Sequence, residues 1–207
     1  RCIVEYHKNV VMDIELAFLH DGLPKRHLKT TYTKKTFPEP DIPCPDRLDK
    51  TILALLQRRN ICSKEFISLQ YDHTVQGGHV LGPLQGRGRV QADASLTKVV
   101  PGSKKGVGLS QGLFPSYSEI DPYLMAVSAI DAAIRGLIAL GIPLDRIAIL
   151  DNFCWCSSDE PERLGQLKLA ARGCYDAAVV FGTPFISGKD SMFNDFSGFD
   201  AENNRVK

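Results

Sequence analysis

The chain has 207 residues, with 25 Lys and Arg against 24 Asp and Glu and a formal net charge of +1. Hydrophobic residues make up 43% and charged residues 24%, which is typical of a soluble globular protein of one or one and a half domains. The near-zero charge argues against a protein that binds nucleic acid by neutralising phosphates, and the absence of a run of about 18 apolar residues argues against a membrane span. The first residues do not have the pattern of a secretory signal.

The six cysteines are scattered along the chain, which favours reduced thiols in a cytosolic protein over a disulfide framework. Cys154-Trp155-Cys156 is a C-x-C pair with two readings. One is a soft-metal site, which as a structural zinc would need two further ligands, and the other is a pair of buried thiols.

The first 45 residues differ from the rest in composition and are predicted to be the end of a preceding domain and a linker. Val10 to Leu19 alternates apolar and polar residues as a strand does, and Asp21-Gly22 ends it. Lys25 to Pro45 is basic and rich in Thr and Pro, which predicts an extended linker whose charges are solvated or form a phosphate patch.

Residues 46–207 are predicted to form one domain. Asp46 is a candidate N-cap of a helix that ends near Asn60, and a short helix follows Ser63. Further along, the hydrophobic spacing predicts strands over 89–100, 106–113, 146–150 and 185–187, a long helix from Asp121-Pro122 to Gly141, and another from Pro161 to about Phe181. Two helices among several strands predict an α+β fold of a ferredoxin-like kind, a mixed sheet with both helices on one face.

The last residues, 194–207, are predicted to form a hairpin turn that rises into Arg205-Val206-Lys207. A strand would begin there, so we expect the chain to be a fragment of a longer protein, truncated at its carboxyl end.

Gly188-Lys189-Asp190-Ser191 follows the last predicted strand and is a candidate phosphate contact. A P-loop is excluded because the glycine spacing is wrong and no helix follows. A glycine that admits an anion, a lysine charge and a serine hydroxyl still suit a phosphate, and the alternative is an ordinary β-turn. Asp151, at the end of the strand over 146–150, would lie in the same cleft if the two strands are adjacent and parallel; otherwise it is a turn residue.

Three other polar positions are candidates for chemistry. Asp93 lies inside a predicted strand, where aspartate is disfavoured, so it should face water, a cleft or a cation. Asp72-His73 and His79 suggest acid–base work, but neither has a convincing nucleophile nearby, and they equally fit polar groups of a loop.

Several segments in the same order resemble formylglycinamidine ribonucleotide synthetase, the amidotransferase of purine biosynthesis. They cover nearly the whole chain: LAFLHDGLP at 16–24, YDHTVQGG at 71–78, SKKGVGLSQG at 103–112, DPYLMAVSAIDAAIRGL at 121–137, LDNFCW at 150–155 and GTPFISGKDS at 182–191. The resemblance implies an ATP-dependent C–N ligase that uses glutamine-derived ammonia, with Mg²⁺ as a cofactor. This chain would be the first domain of its second half, similar to the amino-terminal domain of aminoimidazole ribonucleotide synthetase (PurM).

The resemblance also assigns roles and partners. Asp151 and Gly188 fall where the family contacts ATP, Ser191 where it contacts substrate, and Lys189 where many members have a metal-binding asparagine. Lysine cannot ligate Mg²⁺ but can meet a phosphate. The expected partners are a nucleotide substrate, the sister domain, a glutaminase and, for the fragment, a second copy of itself, with neither nucleic acid nor membrane.

Some members of the family carry an auxiliary nucleotide site with Mg²⁺. Lys64, Ala92 and Asp93 match its lysine, its backbone contact and its first carboxylate. Its next two ligands align with Ala132 and Gly136, which have no ligating side chain. We therefore expect this site to bind nucleotide poorly.

The family's catalytic histidine lies in an Asn-His-Asn-His-Pro-like stretch that is absent from this sequence, so the chain alone should be inactive. Two alternatives stay open. One is a non-catalytic scaffold that pairs with a sister domain, and the other is a different ATP-using relative such as thiamine-phosphate kinase or selenophosphate synthetase.

Overall fold

The computed structural model describes residues 1–70 and 75–206. It begins with an antiparallel hairpin of β1 (Cys2–Tyr6) and β2 (Asn9–Ile14), followed by the short helix α1 (Leu16–Asp21). The strand predicted over 10–19 is therefore right for its first half and wrong for residues 16–19. Leu16 and Ala17 are good helix formers, which suits the helix that replaces the end of the strand.

Two helices follow the linker, as the hydrophobic spacing predicts. They are α2 (Leu48–Leu56) and α3 (Glu65–Ser68). The predicted N-cap Asp46 is wrong, because Arg47 occupies the cap position and no side chain caps the helix.

The middle of the chain forms short antiparallel strands: β3 (His79–Leu81), β4 (Leu84–Gln85), β5 (Val90–Gln91), β6 (Ala94–Thr97) and β7 (Val107–Ser110). They make a three-stranded sheet in the order β3-β6-β7 and a separate β4-β5 hairpin. The single strand predicted over 89–100 is split into β5 and β6. Ala92 and Asp93 lie in the break, which removes the conflict between an aspartate and a strand interior.

The second half of the chain contains two long helices and a pair of parallel strands. The helix α4 (Pro122–Ala139) begins at Asp121, whose carboxylate accepts hydrogen bonds from the backbone N–H of Tyr123 at 2.9 Å and of Leu124 at 3.1 Å. Then come β8 (Ile149–Cys154), α5 (Pro161–Phe181) and β9 (Phe185–Ser191), and β8 pairs with β9 in parallel. The chain closes with the predicted hairpin, formed by β10 (Gly198–Phe199) and β11 (Arg205–Val206).

The hydrophobic core lies between the two long helices. Its buried members are Ile130, Ile134, Ile147 and Ala177, with Ile149 of β8 packed against them. Within the described residues, α4 is the one helix that is long and apolar enough to cross a membrane by length and composition, and Asp131 and Arg135 interrupt its apolar residues. Its buried side chains include Ala126, Ile130 and Ile134, so packing in the core accounts for much of its apolar character.

The architecture confirms an α+β fold with mixed strand directions. One continuous mixed sheet was expected. Instead, the described strands form five separate sheets, of which β3-β6-β7 is antiparallel and β8-β9 is parallel. The short strands of the glycine-rich middle segment limit each ladder to a few residues.

A buried hydroxyl at the junction of α5 and β9 gives a stability prediction. Thr183 is 1% exposed, and its Oγ1 has no hydrogen-bond partner among the described residues. We expect Thr183→Val to raise the free energy of unfolding by about 1 kcal/mol, because it removes an unpaired buried hydroxyl at nearly constant volume. Urea unfolding of both proteins measures the change, and a loss of stability in the variant would mean that the hydroxyl is paired.

Candidate functional site

The parallel pair β8-β9 brings the predicted site residues into register. Asp151 lies opposite Gly188, Asn152 opposite Lys189, and Cys154 opposite Ser191. Both strands run further than predicted: Asp151 is the third residue of a six-residue strand, and 188–191 is strand rather than turn. The ladder between the two strands extends them through these polar residues, a long-range effect that local patterns do not report.

Asp151 and Gly188 are in direct contact. A β-carbon built on Gly188 would overlap Asp151 Oδ1, so the carboxylate lies over the glycine backbone. Asp151 is half-buried and faces α5, where burial, with the charge of Asp151 adding to it, raises the pKa of the Cys174 thiol to about 11. Cys174 therefore stays a neutral thiol at physiological pH, and the Asp151 carboxylate has no cationic partner among the described residues.

Lys189 and Ser191 belong to the other face of the strand pair. Successive strand residues point to opposite faces, so residues one and three positions after Gly188 point away from Asp151. The prediction that the side chains of Asp151, Lys189 and Ser191 line a single cleft is therefore wrong. The structure brings Asp151 and Gly188 together and places Lys189, which is exposed, beside Asn152.

The loops after β8 and β9 are joined by hydrogen bonds at the carboxyl ends of the strands. The Trp155 N–H donates to the Ser191 carbonyl at 2.9 Å, and the Asn194 N–H donates to the Trp155 carbonyl at 2.9 Å. The Asn194 side-chain amide donates to the Ser191 carbonyl at 2.6 Å, and the Ser157 N–H donates to Asp195 Oδ2 at 2.8 Å. Sequence reasoning missed Trp155, Asn194 and Asp195 because their bonds cross between loops about 40 residues apart.

The auxiliary-site residues are engaged in local contacts. The Lys64 ammonium donates to the Cys62 carbonyl at 3.0 Å and to the Arg59 carbonyl, which fixes the turn between α2 and α3. The Ala92 N–H donates to the Pro83 carbonyl at 2.9 Å, and the Asp93 carbonyl accepts from Ser110 Oγ at 3.2 Å.

Helix α4 lies directly on the sheet next to Asp93. A β-carbon on Gly136 would overlap Ser110 Oγ and lie 3.7 Å from the Ala94 β-carbon, which leaves no room for a ligating side chain at position 136. Among residues 1–70 and 75–206, no group of three or more His, Cys, Asp or Glu is placed to hold a metal ion. The residues present therefore do not fit a Mg²⁺ held by protein side chains at this site.

The remaining candidates from the sequence are Asp72-His73, His79 and the cysteine pair Cys154 and Cys156. Asp72-His73, with the rest of 71–74, lies outside the described residues, and His79 begins β3. Cys154 is exposed, so a buried pair is wrong for it, whereas Cys156 is half-buried and burial raises the pKa of its thiol.

Comparison with known proteins finds relatives of the chain, although no family model matches it. It is 35% identical over 196 residues to the "Phosphoribosylformylglycinamidine synthase subunit PurL" of Methanocaldococcus jannaschii. It is also 32% identical over 198 residues to the subunit of the same name from Anaeromyxobacter dehalogenans. The chain is homologous to PurL. These matches cover 94% and 91% of the chain, and the chain spans about a quarter of the length of these curated relatives (26% and 25%).

Solved PurL structures share the fold. The T. maritima PurL complexed with ADP superimposes with a TM-score of 0.65 at 19% identity, covering 94% of this chain and 28% of that one. The PurLQS structure from Thermotoga maritima gives a TM-score of 0.59 at 19% identity, covering 94% and 28%.

Proposed function

We propose that the chain supplies part of an ATP-dependent active site that converts formylglycinamide ribonucleotide to its amidine. The observation that carries the proposal is the contact of Asp151 with Gly188, two positions that the PurL resemblance assigns to ATP. The half-buried Asp151 carboxylate has no cationic partner among the described residues, so it is available to a ligand. A related PurL has been solved with ATP, which supports this class of ligand.

The chain's groups suit binding rather than proton transfer. In the proposed reaction ATP phosphorylates the amide oxygen, and ammonia then displaces phosphate. The Asp151 carboxylate would accept a hydrogen bond from a ribose hydroxyl, and Gly188 leaves the space in which that carboxylate lies. Lys189 and Ser191 lie on the other strand face, away from the contact of Asp151 with Gly188. There the exposed Lys189 would offer charge to the phosphate of the ribonucleotide substrate, and Ser191 would offer a hydroxyl to the same substrate.

The chemistry needs groups that this chain does not contain. The sequence has no Asn-His-Asn-His-Pro-like stretch, so the catalytic histidine would come from the sister domain. Ammonia would come from a glutaminase, a partner consistent with the PurLQS assembly of a structural neighbour. Mg²⁺ would arrive bound to the nucleotide, because no group of three or more His, Cys, Asp or Glu among the described residues is placed to hold a metal ion.

The proposed organisation follows the same relatives. Residues 1–45 would be the end of the preceding domain and its linker, and 46–207 a PurM-like domain of a cytoplasmic enzyme.

Nucleotide titration of the chain tests the proposal. We expect Asp151→Ala to weaken ATP binding about tenfold or more, because a hydrogen bond to a charged group contributes about 1.5–3 kcal/mol. Asp145→Ala is the matched control, since Asp145 is an exposed carboxylate in the turn before β8 and should not change ATP affinity. Equal ATP affinity of both variants, measured by calorimetry, would place the nucleotide elsewhere.

A second proposal, pairing with another sheet, rests on an exposed apolar strand face. On β7, the side chains of Val107 and Leu109 are 58% and 67% exposed, while Gly108 and Ser110 face α4. Leu150 and Ile186 on the parallel strand pair are also exposed. Such a face favours a partner sheet, here a second copy of the chain standing in for the sister domain.

We expect the chain to sediment as a two-fold dimer at micromolar concentration. Leu109→Lys should shift it to monomer by placing a charge in the contact, while Leu124→Lys, on an exposed position of α4, should leave the dimer unchanged. A monomer in the unmodified chain would contradict this pairing.

A further inference from the structure

The linker between α1 and α2 is bonded to helix α5 along residues 26–35, a segment named the strap here. The Thr31 N–H donates to the Pro161 carbonyl at 3.0 Å. The Thr33 N–H and the Thr31 hydroxyl donate to the two carboxylate oxygens of Glu162 at 2.8 and 3.2 Å. The strap is therefore fixed to the first turn of α5, although it has no regular secondary structure.

Ion pairs hold both ends of the strap. Arg26 meets Asp159 at 2.7 Å, and Lys35 meets Glu119 at 2.5 Å. The bond from Lys35 lowers the pKa of the Glu119 carboxyl, and Arg163 approaches the same carboxylate at 3.5 Å. The basic residues of this segment were predicted to be solvated linker charges or a phosphate patch. Two of them, Arg26 and Lys35, instead attach the segment to the domain by ion pairs.

Gly165 sets how closely the strap approaches. A β-carbon on Gly165 would overlap the Thr31 carbonyl and lie 3.5 Å from the Tyr32 β-carbon. Tyr32 is the half-buried residue of the strap, and burial raises the pKa of its phenol, with the charges of Asp121 and Glu162 adding to the effect. Because the overlap is with backbone, no rotamer change can relieve it.

The same turn of α5 is bonded to the end of the parallel strand pair. The Trp155 indole N–H donates to the Arg163 carbonyl at 2.9 Å, and the Trp155 backbone N–H donates to the Ser191 carbonyl at 2.9 Å. A continuous path of bonds thus runs from the strap through residues 161–165 of α5 and Trp155 to the last residue of β9.

We propose that the strap positions the carboxyl ends of β8 and β9 through the first turns of α5. The strap is a positioning segment that does not itself contact the reacting groups. This positioning role does not depend on nucleotide binding, and the experiment that tests it contains no nucleotide. The positioning role can therefore fail while the proposed function stands, and the proposed function can fail while the positioning role stands.

Gly165→Ala is the sharpest variant, because alanine favours the helix and yet cannot coexist with the bound strap. We expect trypsin to cleave at Lys29 and Lys34 about tenfold faster, since cleavage follows the population of the released segment. The emission of Trp155, the one tryptophan of the sequence, should shift to longer wavelength as its indole bond loosens.

Two further variants separate the strap from local damage to α5. Thr33→Pro removes the N–H that bonds Glu162 without touching the helix, and should give the same cleavage and emission changes. Ala171→Leu adds bulk at an exposed position of α5 and should change neither. Unchanged cleavage in Gly165→Ala would overturn the packing of the strap on α5. Faster cleavage with unchanged Trp155 emission in both strap variants would overturn the coupling.

Discussion

Ile134→Ala is expected to lower the free energy of unfolding by about 2–5 kcal/mol, the range for truncating a large aliphatic side chain in a core. Ile134 is 1% exposed and lies at the centre of the cluster that α4, α5 and the start of β8 share. Its removal leaves a cavity between elements that cannot all move inward, because the two helices are already in close contact.

Ile138→Ala is the matched control for the core. Ile138 lies one turn further along α4 and is 51% exposed, so its truncation should change stability by roughly 0.5 kcal/mol or less. Chemical denaturation of the two variants measures the difference. Similar losses in both would contradict a core centred on Ile134.

Gly173→Ala is expected to destabilise the protein by about 1–3 kcal/mol, the cost of overpacking a close contact. In an open helix the same change would stabilise by about 1 kcal/mol, so the sign alone is diagnostic. A β-carbon on Gly173 would lie 2.5 Å from the Tyr123 carbonyl oxygen and 3.2 Å from the Ala126 β-carbon, where α5 crosses α4.

Thermal or urea unfolding measures the effect at Gly173, with Ala171→Ser as the control on the exposed side of α5. The control should change stability by roughly 0.5 kcal/mol or less. A more stable Gly173→Ala protein would mean that the two helices are further apart than the structure has them.

Local signals predicted the helices well because their causes are local. The Asp121-Pro122 start of α4, with its capping carboxylate, and the run of α5 from Pro161 to Phe181 both follow from capping and apolar spacing. The contact between Asp151 and Gly188 could be anticipated only as adjacent parallel strands, since the predicted strands ended before both residues.

Features set by pairing between distant segments were not predictable in the same way. The full length of β8 and β9 depends on their mutual ladder, and the division of Asp151 from Lys189 depends on which face each strand residue occupies. The strap was predicted to be an unpacked linker because its sequence has no hydrophobic periodicity. Backbone hydrogen bonds attach it to α5, and the missing side chain at Gly165 leaves room for it, and neither feature produces a periodic pattern.

Nucleotide is proposed to bind where Asp151 lies over Gly188. The most direct measurement is the change in backbone amide resonances of the labelled chain during titration with MgATP. We expect the largest shifts on residues 150–154 and 187–191, and we expect Asp151→Ala to abolish them while Asp145→Ala does not. Shifts concentrated around Lys64 and Asp93, or shifts at the strand pair that persist in Asp151→Ala, would contradict it.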